Sequence, residues 1–145
     1  MAVEAEKIVT CIPEVTADRS HRPGAKYNLY ITDRRLILEF AGSMAHSPVG
    51  FFVSDLLTGK APSVDRTPDA ILASDPRCIE FRVSDIESIK IKKSWFIGLC
   101  QGGRGCVMDV IVGPKRDKYW VTMETDLYDG TKQALAELVK DKLTS

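Results

Sequence analysis

Histidine is nearly absent from this chain, with His21 and His46 the two examples in 145 residues, so a four-ligand zinc site would need distant residues to converge. Long apolar runs are missing too. Nothing approaches the roughly 20 residues of a membrane-spanning helix, and the opening MAVEAEKIVTC is acidic and lacks the apolar block of a signal peptide. The expectation is a cytoplasmic protein that meets a membrane, if at all, from its surface. Net charge is zero and aromatics make up 8%, which leaves no continuous basic stripe with stacking platforms for nucleic acid. The cysteines, Cys11, Cys78, Cys100 and Cys106, are scattered rather than clustered, which suits buried reduced thiols better than a disulfide framework. Catalytic signatures are also lacking. No nucleophile has a neighbouring base, no carboxylates pair in an apolar setting, and Ser20 beside His21 is adjacency, not a dyad. Gly102, Gly103 and Gly105 lack the spacing of a dinucleotide-binding turn. The chain is therefore expected to be non-enzymatic and to need no cofactor or metal.

What is present is alternation. Tyr27, Leu29 and Ile31 before a polar break at Thr32, Asp33 and Arg34, then Leu36, Leu38 and Phe40 after it, give the two-residue period of half-buried strands joined by a tight turn. Ile89 and Ile91 alternate with Lys90 and Lys92 in the same way. Strands are expected at 7–16, bent near Pro13, and at 27–32, 35–40, 78–83, 87–93, 106–113 and 118–124. The composition shifts to Gly, Pro, Ser and Asp over 41–77, too long for an ordinary connection and hence an insertion. Within it Ser47, Pro48, Val49, Phe52, Val53, Leu56, Leu57 and Gly59 spell a helix with its start and stop. Asp126 is the expected cap of a closing helix striped by Leu127, Thr131, Leu135, Leu138 and Val139, then Lys142 and Leu143. The fold class is mainly β with a C-terminal helix: one domain over 1–145, a seven-stranded antiparallel barrel or sandwich with a helix over one open end.

Two stretches carry a resemblance. YITDRRLIL at 30–38 and VSDIESIKIKKS at 83–94, in that order and followed by a terminal helix, are similar to segments of the pleckstrin-homology-like superfold, in particular its GRAM and bacterial PH branches. That resemblance covers about residues 7–143 and departs from the family in the length of the 41–77 insertion. It implies a binding module for anionic lipid headgroups or a protein partner, and relatives of the bacterial branch also self-associate.

Charge is distributed in blocks, with five bases against one acid over 19–35 and eight against four over 82–118. In the resemblance, the loop after the first strand gathers cations around a headgroup, which here points to Arg19, His21, Arg22 and Lys26. Arginine forks suit phosphate, and a solvated loop explains the same residues. Arg34, Arg35, Lys90, Lys92 and Lys93 form a second basic set, also readable as edge-strand protection. A third, Lys115, Arg116 and Lys118 beside Trp120, is what turn chemistry alone would place there. Two apolar groups are candidate interfaces: Phe51, Phe52 and Leu56 on the inserted helix, and Trp95 and Phe96 at the start of an apolar, then glycine-rich loop. Each has core packing as its plain alternative. A homo-oligomer built on the inserted helix is the second functional reading. A third is a thiol sensor or enzyme using Cys100 and Cys106, with Arg104 lowering a thiol pKa.

Overall fold

A computed structural model describes residues 5–18, 25–43, 66–100, 103 and 105–144. The expected helix around 47–59, with Phe51, Phe52 and Leu56, lies outside the described residues, as do Arg19, His21, Arg22 and Arg104.

The alternating segments form strands β1 (Ile8–Asp18), β2 (Ala25–Thr32), β3 (Arg35–Ser43), β4 (Ile79–Arg82), β5 (Ile86–Lys93), β6 (Cys106–Val112) and β7 (Asp117–Met123). Helices are α1 (Pro68–Ala73), α2 (Trp95–Cys100) and α3 (Tyr128–Val139). An eighth strand, β8 (Leu143–Thr144), runs parallel to β5. All eight join one sheet in the order β4-β3-β2-β1-β7-β6-β5-β8. The expected seven-stranded barrel is corrected on two points. Leu143 is no longer part of the helical stripe but adds a strand, and the sheet does not close, because β4 pairs with β3 alone and β8 ends the other side.

Proline and register explain the bend in β1. The pairing with β2 shifts between Ile12 and Val15, and Glu14 adopts φ 56°, so the strand bulges next to Pro13, which has no N–H to give. Only Thr16, Ala17 and Asp18 beyond that bend pair with β7. The inward faces meet in a core of Val15, Leu29, Ile31, Leu36, Leu38, Ile89, Ile91, Met108, Val110, Val121 and Met123. From α3, Ala134, Leu135 and Val139 complete it, with Leu138 partly buried. The closing helix starts differently from expectation. Thr125–Leu127 is a 3-10 turn, Leu127 rather than Asp126 stands at the cap position, and Lys140 at φ 48° ends the helix.

Helix α1 was not expected from the sequence. Its start signal is Thr67, whose hydroxyl accepts from the Ala70 N–H at 3.2 Å, followed by Pro68 at the first helical position. Ile71 on this helix, with Tyr30 and Ile37 from the outward face of β2 and β3, makes a second small core. Beside it lies a buried ionic cluster. Glu39, with no exposure, accepts from Asn28 at 3.1 Å and from Tyr30 at 3.0 Å, and the Arg66 guanidinium lies 2.6 Å from its second oxygen. Burial pushes the Glu39 carboxyl up, and the hydrogen bonds from Asn28, Arg66 and Tyr30 outweigh it, so the carboxyl titrates below its ordinary range.

Candidate functional site

Arg35, one of the two arginines of the β2–β3 turn, is consumed internally. The Thr32 hydroxyl accepts the N–H groups of Arg34 and Arg35 at 3.1 and 2.9 Å, closing the turn from within. The Arg35 guanidinium reaches Glu6 at 2.8 Å, Asp69 on α1 at 2.7 Å and Glu80 on β4 at 2.6 Å. One side chain thus ties the segment before β1, the edge strand and α1 to the hairpin, and only 13% of it is exposed. A shallow cleft of about 340 Å³ lies there, lined by Glu6, Arg34, Arg35, Arg82, Val83 and Ser84. Its charge is partly offset. Glu6 and Glu80 offset Arg35, and Arg82 is paired with Glu80 at 2.6 Å.

The β5–β6 connection behaves in the opposite way. Ile86, Ile89 and Ile91 point into the core, while Lys90 and Lys92 are exposed on the outer face. None of Lys90, Lys92 and Lys93 is in an ion pair among the described residues. Lys93 lies over the Tyr128 ring at 5.0 Å, and Lys132 lies over the same ring at 5.6 Å. After β5 the chain closes a neck. Ser94 N–H donates to the Gly105 carbonyl at 2.7 Å, Gly105 N–H donates to Thr125 Oγ1 at 2.8 Å, and that hydroxyl donates to the Gly103 carbonyl at 2.9 Å. Gly103 takes φ 97°, a conformation that a side chain would strain.

On this neck stands α2, begun by the Ser94 hydroxyl accepting from Ile97 N–H at 3.2 Å. The sequence reading had placed a loop here. Trp95 is 81% exposed, Phe96 61% and Leu99 76%. These are three of the four large apolar side chains strongly exposed among the described residues, so the exposed apolar surface is concentrated at this tip. Trp95 and Phe96 meet edge to face at 6.1 Å, and Leu99 follows Trp95 by one helical turn. Core packing, the plain reading of Trp95 and Phe96, does not describe them.

The other sequence-based candidates are placed as follows. Lys26 sits on the outer face of β2, paired in register with Thr16, which pairs with Thr122 and, through Val107, with Lys92. Asp18 and Ala25, which flank 19–24, lie from that row toward the β6–β7 turn, whereas Lys93 and Cys106, which flank α2, lie in the other direction. The strand ends at Asp18 and Ala25 and those at Lys93 and Cys106 therefore point in opposite directions along the sheet. In the β6–β7 turn Gly113 takes φ 73°, Arg116 is 3.3 Å from Glu87, and Lys118 is 3.6 Å from Asp109. Trp120 is partly buried. Cys106 is fully buried, and burial pushes its thiol up to about 11 against the pull of Lys93, the reverse of the lowering expected of a reactive thiol. Among the described residues no cluster of His, Cys, Asp and Glu is arranged to hold a metal, and no helix is long and apolar enough to cross a membrane.

No family model matches the chain, and no curated protein matches it. Solved structures do. The C-terminal domain of an unknown protein from Leishmania infantum superposes with a TM-score of 0.54 at 11% identity, over 92% of this chain and 84% of that one. The Vps36 N-terminal PH domain superposes with a TM-score of 0.50 at 8% identity, over 95% of this chain and 80% of that one. With the strand order and terminal helix above, this supports a pleckstrin-homology-like fold.

Proposed function

We propose that this chain is a non-enzymatic module of the GRAM or bacterial PH kind that attaches peripherally to anionic membrane surfaces at the cytoplasmic side. The observation carrying this reading is the α2 tip, where Trp95, Phe96 and Leu99 are exposed together beside Lys92 and Lys93. Aromatic and aliphatic side chains of this kind partition into the headgroup boundary, and each lysine near an anionic surface contributes about 1 kcal/mol. The attachment is weak and reversible, suited to recruitment rather than permanent anchoring. Arg19, His21, Arg22 and Lys26 are a second headgroup set, and mutating the two sets separately tells them apart.

The test is flotation of the purified chain with neutral and with phosphatidylserine-containing liposomes, at low and at physiological salt. Flotation with anionic vesicles, weakened by salt and lost on Trp95→Ala, Phe96→Ala and Leu99→Ala together, is the expected result. Loss on Arg19→Ala, Arg22→Ala and Lys26→Ala alone would move the contact to the other end. No flotation in any condition would sink the lipid reading in favour of a protein partner or of self-assembly, which sedimentation would separate.

A further inference from the structure

The cleft beside Arg35 lies at the start of β5, whereas α2 follows its end, and one of the turns that build the cleft carries a hydroxyl. A short 3-10 turn over Val83–Asp85 joins β4 to β5, and its Ser84 is exposed and shares the cleft lining with Arg34, Arg35 and Arg82. The turn is fixed on both sides of the serine. The Val83 carbonyl accepts from Lys142 Nζ at 2.6 Å, and the Asp85 carbonyl accepts from the Gly113 N–H at 2.8 Å. Three arginines therefore border a hydroxyl whose backbone is held in place. Glu6, the one acid of the lining, is engaged by Arg35 at 2.8 Å and by the Thr32 hydroxyl at 2.5 Å.

We infer that Ser84 is a phosphorylation site and that the cleft holds the phosphate once it is there. In the transfer, Ser84 Oγ attacks the γ-phosphorus of a nucleoside triphosphate bound to a serine kinase. The new O–P bond forms as the bond to the leaving diphosphate breaks, and the hydroxyl proton passes to the kinase's base. Asp85 and Glu87, both exposed, follow the serine and suit a kinase with a basic substrate groove. β4 is four residues long and pairs with β3 alone, so this edge lifts more readily than a central strand to admit the enzyme. The product carries close to two negative charges and three acceptor oxygens, for which guanidinium forks are the matching donors. Arg34 comes from the β2–β3 turn and Arg82 from the end of β4, so a shared phosphate ties the two turns together. Arg82 gives up its exposed pairing with Glu80, which keeps Arg35. Glu6 and Asp85 oppose the added charge, but Glu6 is paired with Arg35 and Asp85 is open to water.

The test uses the full chain with magnesium ATP and an acidophilic serine kinase, read by intact mass and peptide mapping. One added phosphate on Ser84, absent in Ser84→Ala, is expected; no phosphate, or phosphate confined to other residues, would overturn the inference. The phosphorylated chain is then titrated by phosphorus-31 NMR, folded and in urea. Held by arginines, the phosphate should lose its second proton about one pH unit lower in the folded chain than in urea, where a phosphoserine titrates at about 6. Arg34→Gln with Arg82→Gln should abolish that difference while leaving Arg35 and its carboxylates in place. An equal value in both states, or a difference that the double variant does not move, would overturn the cleft as the seat of the phosphate. Saturable shifts of the Arg34 and Arg82 side-chain N–H signals of the unmodified chain with inorganic phosphate, below millimolar concentration, would instead assign the cleft to a free anion and overturn the role of Ser84. Because no vesicles are present, the outcome is independent of the flotation result.

Discussion

The β2–β3 turn and the β5–β6 connection are two excursions from hairpins of the same sheet, and they spend their polar groups differently. In the first, Thr32 closes the backbone and Arg35 is held by three carboxylates, so little is left to offer a partner. In the second, the hydrogen bonds gather at the neck around Ser94, Gly103, Gly105 and Thr125, the apolar side chains of Trp95, Phe96 and Leu99 beyond it are exposed, and so are Lys92 and Lys93 just before it. The sequence signal that is easiest to recognise, the TDRR turn, is therefore scaffold. The exposed apolar surface lies where the pattern is plainest.

Breaking the first region should cost stability and leave binding alone. The largest effect is expected for Arg35→Ala, which strands Glu6 with little exposure and leaves Glu80 to Arg82 alone: about 3 kcal/mol lost in urea denaturation, with flotation unchanged once the protein is folded. Arg35→Lys should recover only part of this, since an ammonium cannot fork across three partners. Thr32→Val should cost about 1 to 2 kcal/mol by leaving the turn's N–H groups without their acceptor.

Breaking the second region should do the reverse. The combined Trp95, Phe96 and Leu99 to Ala variant should unfold within about 0.5 kcal/mol of the parent while losing vesicle binding, because its side chains are exposed in the folded chain as they are in the unfolded one. Lys92→Gln alone should weaken binding about fivefold at low salt and less at physiological salt.

Acid sharpens the same contrast. Burial pushes the carboxyls of Glu39 and Glu80 up, and their hydrogen-bond partners outweigh it, so both titrate below their unfolded values near about 4.3. The folded state then binds fewer protons than the unfolded one, so their contribution is full above that range and fades as pH falls through the depressed folded values. Urea midpoints measured from pH 6 downward should decline, and Glu80→Gln should flatten part of the decline.

Much of the sheet was legible because alternation survives in β2, β3 and β5, and the strand limits at 27–40 and 86–93 fall within a residue or two of those read from sequence, apart from the longer run to Ser43. Helix α1 was overlooked although Thr67 and Pro68 announce it, because six residues leave too few apolar positions for a period to show. β8 has no signal at all: two residues pair because α3 delivers them to a vacant edge. The exposure of Trp95 and Phe96, one of two readings the sequence offers, is left undecided by it for a related reason. Apolar residues after a strand read alike whether the chain folds back over the core or turns outward, and here the neck beneath them is closed by Thr125, remote in sequence from the tip. Arg35 looked like surface charge because its partners Glu6, Asp69 and Glu80 converge only in three dimensions.

The neck at Ser94 and Gly105 has a consequence for how such a protein diversifies. Since the hydrogen bonds to Thr125 close the excursion at its base, the sheet is insulated from whatever lies between, and lengthening a closed loop adds only about 0.6 kcal/mol per doubling. The tip is in effect an exchangeable cartridge. Foreign sequences grafted between Ser94 and Gly103 should alter what the module adheres to while the framework that carries them stays as it is.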